Sequence, residues 1–514
     1  MLKRISLGWW AVLAVAGLTA LRLVVADRIE LLPEESYYWA YAQHPALGYF
    51  DHPPMIAWTI WLGTQLAGDT EFGVRIVNVL LSIGTCLALW GTARLWFDRR
   101  TAHGTVLLFA LLPISVGTGL MVLPDGPLLF FWALTLLAVT AALKTERGVW
   151  WIMAGAAFGG AMLSKYYALL LAPSLFMFLV LSPAHRFWLR RAEPWVALAL
   201  ALAVFSPVIV WNAQHDWASF RFQSTRTVGQ GNHTLKNVSE FWLVQAGMLT
   251  PLVLGLFAAT VARGIKRGWM LGEDNWGFVV SFGLPLFALF ALASFKTEVH
   301  INWTAPAFLS LSIGAAVWWL EGGQDPHLAR ARRWRLATQI TVGLCVVVVG
   351  LGHSVLAAGW PRLLGSTRTG GWRRLAADVT AARDHLAVAT RQAPFILGVD
   401  KYNLAAGLGF YTGQSRDCVN TFALGHPGLS YRYWTPLAEW EGRPALAVLR
   451  SATEGELAQL RQYFDEVGVP RAVTFASSSR RQPVLWLVDC RRYHVAPRSR
   501  RTHLLPPPSH DQGR

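Results

Sequence analysis

Four carboxylates and five basic side chains stand where they could activate a hydroxyl and hold a phosphate. Glu34 and Glu35 lie in Pro33-Glu34-Glu35-Ser36-Tyr37-Tyr38-Trp39, an aromatic-rich segment that opens a helix. Beside apolar rings near a membrane a carboxylate is partly desolvated, which raises its pKa and suits a general base. The plain alternative is a solvated acidic loop pair. Asp51 and His52 lie in Gly48-Tyr49-Phe50-Asp51-His52-Pro53-Pro54, where two prolines fix the backbone around them. Here the plain alternative is Asp51 capping the helix that follows. Asp125, in Pro124-Asp125-Gly126-Pro127, reads either as a helix N-cap or as an anion held by the helix dipole. Lys165, Arg221, Lys296 and His300 are cations or potential cations near helix ends, suited to a phosphate. Lys165 could instead snorkel to the surface, and Glu71 and Arg75 form a default local ion pair four residues apart.

These residues need elements that bring them together. Hydrophobic residues make up 54% of the 514 and charged ones only 15%, against about 25% in a soluble chain. A run of about 20 apolar residues spans a bilayer, and about eleven such runs occur. They are 7–25, 72–97, 103–122, 127–143, 149–163, 166–182, 195–211, 240–262, 276–294, 303–320 and 336–358. Residues 53–67 are apolar but short and follow two prolines, so they are expected to lie along the membrane surface. The N-terminal run lacks a small-residue cleavage site and reads as an uncleaved first helix. With the N-terminus in the cytoplasm, Arg99, Arg100, Lys144, Arg147, Arg190, Arg191, Arg263 and Arg267 fall in cytoplasmic loops. The opposite loops hold far fewer cations, which is the positive-inside pattern. The net charge of +16 therefore fits anionic lipid rather than nucleic acid, for which no motif is present. Trp pairs such as Trp9-Trp10 and Trp150-Trp151 flank apolar runs, as expected at membrane interfaces. In this orientation Glu34, Glu35, Asp51, Asp125 and the named cations all fall on the exported side.

An odd number of spans exports the part after residue 360. There, helical stretches at Trp372–Thr390 and Glu454–Phe464 alternate with β-like runs at Phe395–Val399, Leu446–Leu449 and Val484–Val488. The expected organisation is a membrane domain at 1–359, a small α/β domain at 360–497 and a disordered tail at 498–514. Cys86 and Cys345 read as inert packing residues, and Cys418 and Cys490 as a possible disulfide. A divalent cation among Glu34, Glu35, Asp51 and His52 stays open, and no cofactor is firmly implied. No solenoid or inverted repeat is visible.

The strings Pro33–Trp39, Gly48–Pro54, Glu71-Phe-Gly-Val-Arg75, Pro124-Asp-Gly-Pro-Leu128, Ser164-Lys-Tyr-Tyr167 and His300-Ile-Asn-Trp303 resemble the GT-C glycosyltransferases. The resemblance is to the bacterial group that includes the lipid A aminoarabinose transferases and related protein mannosyltransferases. It covers about residues 1–360, and Asp400–Ala405 with Gly409-Phe410-Tyr411 extend it into the exported part. It implies a polytopic α-helical inner-membrane enzyme with a periplasmic α/β domain. It implies a sugar donor on a polyprenyl phosphate and an acceptor on an envelope lipid such as lipid A or lipopolysaccharide core, a glycan or a protein. An acidic residue of the first exported loop would take the acceptor proton in a single inverting displacement, with Glu34, Glu35 and Asp51 as candidates. Asp125 matches the family's second acidic position. His52 stands where the aminoarabinose enzymes carry a phosphate-binding lysine before two prolines. With Lys165, Arg221, Lys296 and His300 it is a candidate donor-phosphate contact. The rival class is a multi-pass transporter or lipid flippase, which would place its charges near the midplane.

Overall fold

The computed structural model describes residues 6–228, 235–322, 328–357, 371–474 and 484–497. The chain divides into two compact units, Met1–Arg28 with Ala46–Ala358, and Ile29–Pro45 with Gly359–Arg514. The expected membrane domain at 1–359 includes Ile29–Pro45, which the structure groups with the second unit. The expected disordered tail lies outside the described residues.

The first unit is helical. Its helices are α1 (Leu7–Arg28), α3 (Met55–Ala67), α4 (Glu71–Trp96), α5 (Arg99–Leu111), α6 (Ile114–Leu120), α7 (Asp125–Thr145), α8 (Gly148–Ser164), α9 (Leu171–Leu181) and α10 (Glu193–Gln214). They continue with α11 (Ala218–Val228), α12 (Leu235–Leu249), α13 (Pro251–Arg263), α14 (Asp274–Ala293), α15 (Ala305–Gly322) and α16 (Leu328–Ala357). Among the described residues six helices are long and apolar enough to cross a membrane, and three more are apolar but shorter. Two of the expected spans are not straight. Residues 103–122 form α5 and α6, bent by 83° beside Pro113. Residues 240–262 fall in α12 and α13, bent by 102° where Thr250 takes a φ of 65° before Pro251. In both places proline removes a backbone donor and disfavours helical geometry in the residue before it.

Helix α3 has 13 residues and leaves Trp58, Trp61, Leu62 and Leu66 exposed, as a surface-lying helix would. It approaches α4 closely: a Cβ on Gly63 would run into the Gly73 carbonyl, so only glycine fits there. Trp9 and Trp10 are exposed, whereas Trp151 is buried edge-on against Trp188 and belongs to the core rather than an interface.

The second unit is α/β. It holds α2 (Pro33–Gln43), α17 (Trp372–Thr390), α18 (Asn403–Tyr411), α19 (Tyr431–Trp434) and α20 (Glu454–Tyr463). Its strands are β1 (Phe395–Val399), β2 (Cys418–Val419), β3 (Ala445–Leu449), β4 (Phe464–Val467), β5 (Arg471–Thr474) and β6 (Val484–Tyr493). The sheet runs β2-β1-β3-β6-β4, with β5 also paired to β6. Strand β1 is parallel to β2 and β3, and β6 is antiparallel to β3. β3 is buried along its whole length and β1 at all but its last residue, the pattern of strands covered on both faces. Leu375, Val379 and Leu386 of α17 and Leu404 and Leu408 of α18 pack on Ile396, Leu446 and Val448. Cys418 and Cys490 are separate free thiols, on β2 and β6 with β1 and β3 between them, so the disulfide expectation is corrected.

Candidate functional site

In the first unit the organising pair is Asp125 and Lys165. Helix α8 ends at Ser164, and Lys165 is extended, with φ −153° and ψ 142°. This break turns its side chain inward, and Nζ donates to both Asp125 carboxylate oxygens at 2.8 Å. Asn302 Nδ2 donates to Oδ2 at 2.5 Å, and the Tyr167 hydroxyl donates to Oδ1 at 3.4 Å. Asp125 is 1% exposed and Lys165 6%, so Lys165 does not snorkel. Asp125 is the first residue of α7 and does not cap it, contrary to that reading. The helix dipole adds to the stabilisation of its charge. With its oxygens taken by these donors, Asp125 ties together α7, the α8–α9 break and the turn before α15.

Asp51 and His52 lie in the loop before α3, and Asp51 does not cap that helix. Gln223 Nε2 of α11 donates to the Asp51 carbonyl at 2.6 Å, and Phe50 packs on Phe222 at 4.7 Å. Trp211 stacks on His215, and a Cβ on Gly48 would press on Trp211. Asp51 lies within electrostatic range of Tyr166, whose hydroxyl meets Ser219 Oγ at 2.6 Å. The loop, α11 and the α8–α9 break therefore form one polar edge of this unit. Arg221 on α11 is exposed, as are Lys296 and His300 after α14. His300 packs edge-on against Trp303.

In the second unit α2 carries Glu34 and Glu35, and the two differ. Glu35 is 0% exposed, and its Oε2 accepts the Leu32 backbone N–H at 2.9 Å. It serves its own helix start, satisfying a donor that the helix leaves open. Glu34 is half-buried, and the Tyr402 hydroxyl lies 3.5 Å from its Oε1. Tyr402 follows the C-terminal end of β1, where open α/β sheets bind ligands. Asp400 beside it accepts the Leu404 N–H and pairs with Arg450 at 3.3 Å. Burial pushes the Asp400 carboxyl above its ordinary value, against those partners. Tyr37 stacks on Tyr402 at 4.6 Å, His44 stacks on Trp434 at 4.8 Å, and the Leu31 N–H reaches the Tyr411 hydroxyl at 2.6 Å.

The structure thus brings together Asp125 with Lys165, and groups Asp51 and His52 with the edge that holds α11. It assigns Glu34 and Glu35 to the other compact unit. Among the described residues no three His, Cys, Asp or Glu side chains are grouped to hold a metal ion. Sequence reasoning missed Asn302, Tyr167 and Tyr402 as partners of the acids. All three sit inside strings that carried the resemblance.

A helical membrane unit joined in one chain to a small α/β unit is the architecture that the resemblance to GT-C glycosyltransferases implies. Residues 51–211 match the family described as dolichyl-phosphate-mannose-protein mannosyltransferase. The chain is 27% identical to the lipid A galacturonosyltransferase RgtD of Rhizobium johnstonii, over 82% of this chain and 86% of that protein. It is 26% identical to an undecaprenyl phosphate-α-4-amino-4-deoxy-L-arabinose arabinosyl transferase of Pseudomonas fluorescens, over 54% of this chain and 51% of that one. The crystal structure of ArnT from Cupriavidus metallidurans bound to undecaprenyl phosphate shares the fold, with a TM-score of 0.65 at 18% identity. It covers 94% of this chain and 98% of that one. The Archaeoglobus fulgidus oligosaccharyltransferase is a more distant likeness, with a TM-score of 0.52 at 11% identity over 88% of this chain and 71% of that one. The protein is a multi-pass membrane glycosyltransferase similar to the lipid A aminoarabinose transferases, whose names give undecaprenyl phosphate as the sugar carrier. The transporter reading is set aside, because these sequence relatives are glycosyltransferases.

Proposed function

We propose that this enzyme moves a sugar from undecaprenyl phosphate to an acceptor of the lipid A class, at the periplasmic face of the bacterial inner membrane. The α/β unit is periplasmic in this reading, in keeping with the distribution of basic loops. The observation that carries the proposal is the match to RgtD along most of both chains.

Glu34 is the general base. Glu35 is engaged at the start of α2, whereas Glu34 sits beside a phenol that can orient it. The acceptor oxygen attacks the anomeric carbon as its proton passes to Glu34. The bond from that carbon to the carrier phosphate oxygen breaks, and the phosphate leaves with the electron pair. His52, Arg221, Lys296 and His300 are the donor-phosphate candidates. A cation there stabilises the charge that grows on the leaving group. Asp125 and Lys165 act as a fixed pair that holds the helix ends in place.

The test is transfer by the purified protein in lipid nanodiscs. Lipid A would be offered with undecaprenyl phosphate carrying galacturonic acid or aminoarabinose in turn, and products read by mass spectrometry. One donor should add one sugar residue to lipid A. Transfer from a nucleotide sugar but from neither carrier lipid would overturn the proposal.

A further inference from the structure

A second buried polar site lies in the helical unit, around Arg22 of α1. Arg22 is 6% exposed. Its Nη1 donates to Ser82 Oγ at 3.0 Å and its Nη2 to the Ser115 carbonyl at 2.7 Å, while Nε has no acceptor. Among the described residues no carboxylate pairs with it. A guanidinium stays charged, and a buried charge without a counter-charge is costly. Ionisable groups kept inside a membrane bundle mark sites of function by default.

The surroundings are shaped for this side chain. A Cβ on Gly119 of α6 would collide with the guanidinium, so glycine leaves the space in which it rests. The bend between α5 and α6 presents the Ser115 carbonyl to it. A small cavity lies beside it. Ser82, Thr85 and Thr118 line it with hydroxyls near Arg22, and Leu18 and Phe109 give it an apolar flank. A second unsatisfied nitrogen lies nearby. His353 of α16 is fully buried and within electrostatic range of Arg22, its Nδ1 is engaged by the Val349 carbonyl, and its Nε2 has no partner. Gly126 also lines the cavity, while its neighbour Asp125 is spent on Lys165, so this is a separate site from that pair.

We infer that the Arg22 cavity binds one anionic oxygen group, a phosphate or carboxylate, supplying the counter-charge that the protein does not. The group arrives either on a lipid whose chain lies along the apolar flank or as a free ion. Bound there, it joins α1 to the α5–α6 bend through Arg22.

The test is native mass spectrometry of the full chain in a neutral detergent, titrated separately with phosphatidic acid, phosphatidylcholine and inorganic phosphate. Wild type should retain one phosphatidic acid at least about tenfold more tightly than Arg22→Gln, with Arg22→Lys between them and no such difference for phosphatidylcholine. If inorganic phosphate alone shows the same dependence on Arg22, the free ion is the ligand; if only phosphatidic acid does, the lipid is. Ala110→Leu fills the cavity while keeping Arg22, and should lose the ligand as Arg22→Gln does. That variant decides the matter if Arg22→Gln fails to fold. Equal retention of both anions by wild type and every variant that folds would overturn the inference and leave Arg22 as a strut between helices.

Discussion

Lys165 Nζ lies 2.8 Å from each carboxylate oxygen of Asp125, and the two side chains are buried together at the start of α7. Removing one partner leaves the other as an unpaired buried charge, at a cost of about 3–5 kcal/mol. Asp125→Asn and Lys165→Met should each lower the unfolding free energy of the purified protein by that amount, read from denaturant melts. The double variant should recover much of the loss, because no charge is then stranded. A loss in the double variant equal to the sum of the two single losses would show that the pair is not coupled.

Glu35 accepts the Leu32 N–H at the start of α2. Replacing it with alanine should cost about 0.5–2 kcal/mol, the usual size of a lost helix-start contact. Glu35→Gln keeps an acceptor oxygen and should cost less. Thermal melts of the two variants side by side check this order.

Asp400 gives a pH dependence of definite sign. Burial raises its folded-state pKa above the ordinary 3.8, so the folded chain holds this proton more tightly than the unfolded one. Its stabilising contribution is fully present below that ordinary value and is lost as pH rises through the raised one. Asp400→Asn should therefore flatten the fall in stability as pH rises above about 4. Melts of wild type and variant over that range measure it, and parallel curves would contradict it.

Cys418 and Cys490 are free, buried thiols, and burial pushes both well above the ordinary thiol value. Thiols of this kind react slowly, because the thiolate is the nucleophile. Intact-mass analysis should show no loss of two hydrogens after mild oxidation. Maleimide should label both only once the chain is unfolded.

Much of the architecture could be read from apolar runs and turn chemistry. Strand β1 and helix α17 fall on the expected residues, since alternating and 3.6-residue patterns act locally. The bends at Pro113 and Pro251 were equally local signals, yet an apolar run bridges each proline and hides the break. The roles of the acids were less legible. Glu34 and Glu35 are adjacent and chemically alike, and only the fold of α2 turns one toward the Leu32 N–H and the other toward Tyr402. The pairing of Lys165 with Asp125 was not legible, because the two lie 40 residues apart in the chain. The grouping of Ile29–Pro45 with the α/β unit rests on contacts between rings far apart in sequence, such as Tyr37 with Tyr402.

The most direct measurement compares turnover of Glu34→Gln and Glu35→Gln with wild type at saturating carrier-linked sugar, alongside the affinity of each for the carrier lipid. Losing a general base costs about 10²–10⁴-fold in rate. Glu34→Gln should fall by that factor with carrier affinity unchanged, while Glu35→Gln keeps most of its turnover. Wild-type turnover in Glu34→Gln, or a collapse confined to Glu35→Gln, would contradict the assignment of Glu34 as the base.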